Sequence, residues 1–182
     1  MLVNVAGAPA LVVALGKDGK AYLLNRASLG GFGKAPLAIR TVSGGGIINA
    51  AVAYTTATAS YVVFKGAGSG CPSGQTGGLT AIKIAPGATA TAAPTMSIAW
   101  CGGPGTSYSP AVSQTDTAGS NTIVWVVGSD NKLHGIDGDM GQMVWFGGGS
   151  TAMSAVQGIQ TPIIANGRVF VASNTQVYAF KP

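Results

Sequence analysis

The chain has 182 residues, of which 29 are Gly, 10 are Lys or Arg and 5 are Asp, and Glu does not occur. Charged residues make up 8% of the chain, against about 25% in an average globular domain. The 47% of hydrophobic residues excludes a disordered polymer, and the missing three-residue Gly period excludes collagen. The scarcity of carboxylates argues against a paired-carboxylate hydrolase and against a carboxylate-rich calcium cage.

The net charge of +5 comes from cations that are spread along the chain. Proteins that bind nucleic acid usually concentrate such charges in one stripe, so we expect no nucleic-acid binding. The longest uncharged apolar stretch lies near Ala6–Gly16 and is far shorter than the roughly 20 residues of a membrane-spanning helix. We therefore expect no membrane span.

Short runs of apolar and β-branched residues, divided by turn-forming residues, follow one another along the whole chain. A sustained helical period does not occur, and runs of this length predict strands. In chain order the predicted strands include LVVALG, KAYLLN, YVVFKG, LTAIKI, TIVWVVG, KLHGID, RVFVAS and QVYAFK. Asp18–Gly19 and Asp130–Asn131 stand where tight hairpin turns need a positive φ. The sequence therefore predicts an all-β fold.

Several of these segments resemble one another, which indicates an internal repeat. GKDGKAYLLNR at Gly16–Arg26 aligns without a gap with GSDNKLHGIDG at Gly128–Gly138. ASNTQVYAFK at Ala172–Lys181 aligns in the same register. GGLTAIKI at Gly77–Ile84 takes the corresponding place in another unit, and MSIAWCGG at Met96–Gly103 matches GQMVWFGGG further along. We place the units at residues 1–46, 47–106, 107–156 and 157–182.

Each unit reads as a strand, two hairpin strands and an outer strand, and the last unit stops after its third strand. A four-stranded antiparallel unit repeated at this length is typical of a β-propeller blade. We therefore predict a β-propeller of about four four-stranded antiparallel blades, partial or half of a ring, with the last blade incomplete. The units form a single repeat domain over residues 1–182.

An open arc of blades would leave apolar faces and strand edges exposed. Three arrangements remove this exposure: a four-bladed ring, two chains in an eight-bladed ring, or further blades in a longer chain. We favour self-association or the remaining blades of a longer chain over a closed four-bladed monomer.

The two cysteines, Cys71 and Cys101, have a separation that fits neither a redox pair nor a zinc knuckle. They form either a disulfide or two buried thiols, and we favour a structural disulfide. Disulfides persist in oxidising compartments, so we expect a secreted, periplasmic or cell-surface location.

The third unit contains a more specific pattern, made by Gly135, Asp137, Gly141 and Trp145. It resembles the repeat of the pyrroloquinoline-quinone (PQQ), or quinoprotein alcohol dehydrogenase-like, β-propellers, and the chain is also similar to secreted bacterial proteins that carry such repeats. In this blade motif the Trp would pack between blades and the Asp would accept backbone hydrogen bonds in the turn. The other units match less fully: Asn25 and Lys83 replace the Asp, and we place Val42 at the Trp position of the first unit.

Enzymes of this family hold the quinone over calcium with acidic and amide ligands, and they use an Asp base and often a disulfide between adjacent cysteines. This chain has no adjacent cysteine pair, and its Asp18, Asp130 and Asp137 fall in predicted turns. We therefore expect no catalytic, cofactor-binding or metal-binding residues, and we interpret His134 as an ordinary strand histidine.

The function that we expect is that of a secreted or surface scaffold or binding module with a protein or glycan ligand. The alternative is the C-terminal part of a PQQ-dependent dehydrogenase whose cofactor ligands lie elsewhere, and PQQ with calcium belongs only to this alternative.

Overall fold

The computed structural model describes residues 1–56, 59–89, 91–105, 108–113, 121–147 and 152–182. These residues form fifteen strands and no helix, and the strands make four antiparallel sheets. Sheet 1 contains β1 (Leu2–Val3), β2 (Leu11–Leu15), β3 (Lys20–Asn25) and β4 (Ala38–Thr41). Sheet 2 contains β5 (Val52–Thr55), β6 (Ser60–Lys65), β7 (Leu79–Ala85) and β8 (Thr95–Gly102). Sheet 3 contains β9 (Ala111–Ser113), β10 (Ile123–Val127), β11 (Leu133–Asp137) and β12 (Met143–Phe146). Sheet 4 contains β13 (Ile163–Ala165), β14 (Arg168–Ala172) and β15 (Val177–Phe180).

Within each sheet the strands lie side by side in chain order. The first strands of successive sheets contact one another in series, β1 with β5, β5 with β9, and β9 with β13. This arrangement is consistent with a partial β-propeller-like architecture. The predicted all-β fold is confirmed, with three four-stranded antiparallel sheets and a last sheet of three strands. The side-chain amide of Asn49 joins the loops at this inner edge, because it donates hydrogen bonds to Ser109 Oγ (3.3 Å) and to the carbonyl oxygen of Gly158 (2.7 Å).

Sheet 2 is covered on both faces, which explains why its strands are apolar almost without interruption. Alternate side chains of a strand point to opposite faces of the sheet. In β6, Val62 and Phe64 belong to the core shared with sheet 1, whereas Tyr61 and Val63 belong to the core shared with sheet 3. A third core, which contains Trp125, lies between sheets 3 and 4. The hydrophobic core is therefore divided into three layers, one at each junction between neighbouring sheets.

The hairpin turns have the predicted backbone. Gly19, between β2 and β3, has φ +74°, and Asn131, between β10 and β11, has φ +55°. Both values lie in the left-handed region that Gly and Asn tolerate, so the Asp–Gly and Asp–Asn pairs mark the turns correctly.

The expected position of Val42 is wrong. Trp145 pairs with Gly135 across β11 and β12, and the equivalent pair in sheet 1 is Leu23 with Ala38. Val42 lies beyond the end of β4, where it is buried in the core between sheets 1 and 2. It contributes to that junction, but Ala38 occupies the place that corresponds to Trp145.

If burial between sheets stabilises the fold, Phe64 and Phe32 should respond differently to truncation. Phe64 is completely buried between sheets 1 and 2, whereas Phe32 is fully exposed in the loop between β3 and β4. We expect Phe64→Ala to lower the free energy of unfolding by about 3–5 kcal/mol and Phe32→Ala to change it by less than about 0.5 kcal/mol. Urea unfolding followed by tryptophan fluorescence measures both, and equal losses would contradict a core between these sheets.

Candidate functional site

The turn between β11 and β12, Asp137–Gly141, is the part of the blade motif with the most polar contacts, and we call it the motif turn. Asp137 Oδ1 accepts hydrogen bonds from the backbone N–H groups of Asp139 (2.9 Å) and Met140 (2.7 Å). The backbone N–H of Gly141 donates to the carbonyl oxygen of Asp137 (2.9 Å). The aspartate thus satisfies the amides of a tight turn, as such side chains commonly do.

Sheet 2 binds the motif turn through two buried donors. The indole Nε1–H of Trp100 and the hydroxyl of Tyr54 both donate to the carbonyl oxygen of Gly138, at 2.9 and 2.6 Å. Burial raises the pKa of Tyr54, which keeps its hydroxyl protonated as a donor. Thr56 adds a hydrogen bond from Oγ1 to Asp139 Oδ1 (2.9 Å). These directional contacts fix sheet 2 against sheet 3.

The ring of Trp100 lies directly against Gly141. A Cβ atom at Gly141 would meet the Trp100 ring at 2.7 Å, and Gly141 has φ +74°. Both the close approach and the backbone conformation therefore require glycine at this position.

Trp145, the tryptophan of the same motif, makes a different contact. It meets Trp125 edge-on, with ring centroids 5.5 Å apart, and Phe180 of sheet 4 at 6.1 Å. Gly135 lies opposite Trp145, and a Cβ there would lie 2.9 Å from the Trp125 ring. The structure thus places all four motif residues in sheet 3 but at two junctions. Gly141 faces Trp100 of sheet 2, Asp137 orders the turn beside it, and Gly135 and Trp145 lie towards sheet 4.

The sequence alone did not reveal the contact between Trp100 and the motif turn. The only signal was the match of MSIAWCGG, which contains Trp100, to the segment that contains Trp145. That match indicates equivalent positions in two units, and it carries no information about which unit each ring contacts.

The expected disulfide between Cys71 and Cys101 is present, with the two Cα atoms 5.6 Å apart. It attaches the long connection between β6 and β7 to the outer strand β8. Gln75 strengthens this attachment, because its Oε1 accepts a hydrogen bond from the backbone N–H of Cys101 (2.9 Å).

His134 is buried, and its Nε2 lies 3.0 and 3.1 Å from the two carboxylate oxygens of Asp130. Partial burial raises the pKa of Asp130, but the hydrogen bonds from His134 and the Lys132 amide outweigh it and lower that pKa below its ordinary value. The same pairing occurs in sheet 1, where the Tyr22 hydroxyl donates to Asp18 and lowers the pKa of that carboxyl. In both units the strand side chain bonds back to the aspartate of its hairpin turn.

A groove of about 380 Å³ lies between sheets 3 and 4 and contains Trp125 and Arg168. Trp125 Nε1–H donates to Ser113 Oγ (2.8 Å) at this groove, and Arg168 is an exposed residue of β14 beside it. In the described ranges, His, Cys, Asp and Glu side chains form no group of three that could hold a metal ion.

The fold therefore defines an all-β protein with a partial propeller-like arrangement. No family model matches the chain, and no curated protein matches its sequence. A helix with the length and apolarity to cross a membrane is not found among the described residues.

The contact between Gly141 and Trp100 can be tested with a matched pair of glycines. Gly167 has φ +66°, close to that of Gly141, but a Cβ there would meet no atom within 4 Å. We expect Gly167→Ala to lower the free energy of unfolding by about 1–2 kcal/mol, because of the left-handed backbone alone. We expect Gly141→Ala to lower it by about 1–3 kcal/mol more, because the added Cβ clashes with the Trp100 ring. Thermal or urea unfolding measures the difference, and equal costs would show that Trp100 does not restrict this position.

Removal of the disulfide should destabilise the fold. Under the chain-entropy model, a loop of this size contributes about 3.5–4 kcal/mol. We expect the double variant Cys71→Ser, Cys101→Ser to lose free energy of unfolding in this range, and the wild type to lose a similar amount in reducing agent. Reducing agent should leave the double variant unchanged, and a shift there would point to a cause other than the disulfide.

Proposed function

We propose that this protein is a secreted or cell-surface propeller-like module that acts as a scaffold or binding domain and has no catalysis of its own. The observation that carries the proposal is the exposure of apolar side chains on the outer faces of the two terminal sheets. Ile163 and Val177 of sheet 4 are 66% and 67% exposed, and Leu2 and Ile39 of sheet 1 are 64% and 55% exposed. Exposed apolar patches of this kind mark interaction surfaces.

The polar residues of the repeat support a structural role. Asp130 pairs with His134, Asp137 binds the amides of its own turn, and Asp139 accepts a hydrogen bond from sheet 2. Each of these groups stabilises a turn or a junction between sheets, which suits a rigid framework for binding. The disulfide supports an oxidising location, because such bonds are rare in cytosolic proteins.

The alternative is that the chain is the C-terminal part of a PQQ-dependent dehydrogenase whose cofactor ligands lie elsewhere. The geometry of the blade motif favours this candidate, since Asp137 and Trp145 have the roles that the PQQ-repeat resemblance implies for them. Those roles concern packing, so we rank the scaffold above the enzyme fragment.

Titration with PQQ in the presence of calcium separates the two functions. We expect no saturable change in quinone absorbance or in heat, because the titratable groups of the motif turn and hairpins already have partners within the fold. The same titration with a chelator in place of calcium is the control for unspecific adsorption. Saturable binding that requires calcium would contradict the scaffold proposal and support the enzyme fragment.

A glycan or protein ligand is tested separately. The groove between sheets 3 and 4 is lined in part by the exposed residue Arg168, so an acidic glycan is the ligand class that we expect to bind beside it. Binding on a glycan array that is lost in Arg168→Ala would support this site. Binding that is unchanged in that variant would place the glycan elsewhere.

A further inference from the structure

Each junction inside the stack joins two different kinds of face. We call the face that a sheet turns towards the next sheet in the chain its forward face, and the opposite face its back face. In sheet 2 the forward face carries Val63 and Leu79, and the back face carries Phe64 and Ile82. Every internal junction therefore packs a forward face on the back face of the sheet that follows.

The outer face of sheet 4 is an uncovered forward face. Val177 pairs with the last residue of β14. The equivalent residues in the other three sheets, each paired with the last residue of the preceding strand, are Ala21, Leu79 and Leu133. Those three residues are completely buried by the next sheet, whereas Val177 is exposed. Ile163 lies on the same face of sheet 4, through its pairing with Phe170.

The outer face of sheet 1 is an uncovered back face. Tyr22 occupies the position of Thr80 in sheet 2 and His134 in sheet 3, both of which are buried against the preceding sheet. Ile39 pairs with Tyr22, and so it lies on the same face. This one chain therefore presents both halves of the junction that it forms three times internally.

We propose that two copies of this chain form a closed two-fold ring of eight sheets. In this ring the forward face of sheet 4 in each copy packs on the back face of sheet 1 in the other copy. The inference rests on the proposed function and names the partner of the exposed faces. Such head-to-tail contacts form rings where the rotation closes. Two copies cover all four uncovered faces and give eight sheets, within the range of about 4–8 blades that is typical of propellers, whereas three copies would exceed it.

The charge of the chain gives the pairing a defined salt dependence. Each copy carries a net charge of +5, so two copies repel one another over distances of about 10 Å at 0.1 M salt. The proposed contact surfaces carry exposed apolar side chains, among them Val177, Ile163 and Ile39, and sulfate strengthens apolar burial. Association should therefore become tighter as sodium sulfate is added, and a weakening would contradict an apolar contact between the copies.

Light scattering on the whole chain tests the assembly directly. We expect a mass of twice 17.9 kDa that dissociates on dilution. A monomer at all concentrations, or an open series of larger species, would overturn the closed pair.

Single lysines on each face test which surfaces meet. We expect Val177→Lys on sheet 4 and Ile39→Lys on sheet 1 each to weaken dimerisation by at least about tenfold, because a buried unpaired charge is costly. Val144→Lys is the matched control, since Val144 is an exposed valine in the edge strand β12 of sheet 3, and it should dimerise like the wild type. Circular dichroism must show the same fold in all three variants.

Mixing the two defective variants distinguishes head-to-tail pairing from pairing of like faces. A mixed pair of Val177→Lys and Ile39→Lys has one junction with both faces intact, so we expect it to form at concentrations where each variant alone is monomeric. If like faces paired instead, one of the two variants would dimerise normally by itself, and that result would overturn the proposal. If the wild type is monomeric and binds no quinone, this pairing is refuted and the proposed scaffold function still stands. If it binds quinone in a calcium-dependent way, the scaffold function is refuted, whether the protein is a monomer or a dimer.

Discussion

The burial of apolar sheet faces against one another is the interaction on which the whole structure depends. With charged residues at 8% of the chain, a single sheet lacks the polar side chains that would cover either of its faces with a hydrated surface. Sheet 2 shows the consequence most clearly, because Phe64 and Ile82 on one face and Val63 and Leu79 on the other are all completely buried. A sheet of this composition is stable only between neighbours, as in other repeat architectures.

Apolar contact between two sheets has little direction, and the motif turn adds direction at the junction between sheets 2 and 3. The carbonyl oxygen of Gly138 accepts hydrogen bonds from both Trp100 and Tyr54, and these buried bonds hold only in one relative position of the two sheets. The loss of either partner would leave a buried polar group unsatisfied, which is more costly than the bond itself is worth. The turn of the blade motif thus fixes the position of sheet 3 relative to sheet 2.

The strands and their grouping into sheets could be predicted because they depend on local patterns. Hairpin turns at Gly19 and Asn131, alternating apolar runs and the repeat itself are all visible in the sequence, and the two cysteines had only one intramolecular partner each. The position of Val42 was predicted wrongly because two residues, Val42 and Ser43, lie between the end of β4 and its Gly run, whereas Gly147 follows the last residue of β12 directly. Counting back from the Gly run then misplaces the outer strand.

The contact of Trp100 with Gly141 could not be found in the same way. An alignment of one unit with another shows which residues are equivalent, and this contact joins residues of different units that are not equivalent. The repeat assigned Gly141 and Trp145 to one motif, whereas the fold brings Gly141 to the tryptophan of the preceding sheet. Contacts of this kind follow from the stacking of the sheets.

The serial order of the sheets also bears on how the molecule opens. Sheet 4 has three strands and lies at one end of the stack, and the loop before it is held by the Asn49 side chain through the carbonyl of Gly158. Local opening in proteins starts in elements with few buried contacts, so the amide hydrogens of β13–β15 are the first that would exchange with solvent. Since Asn49 belongs to the loop before sheet 2, loss of that hydrogen bond would weaken one attachment of the terminal sheet. The core between sheets 3 and 4 would still hold sheet 4, and the junction between sheets 1 and 2 would be unchanged.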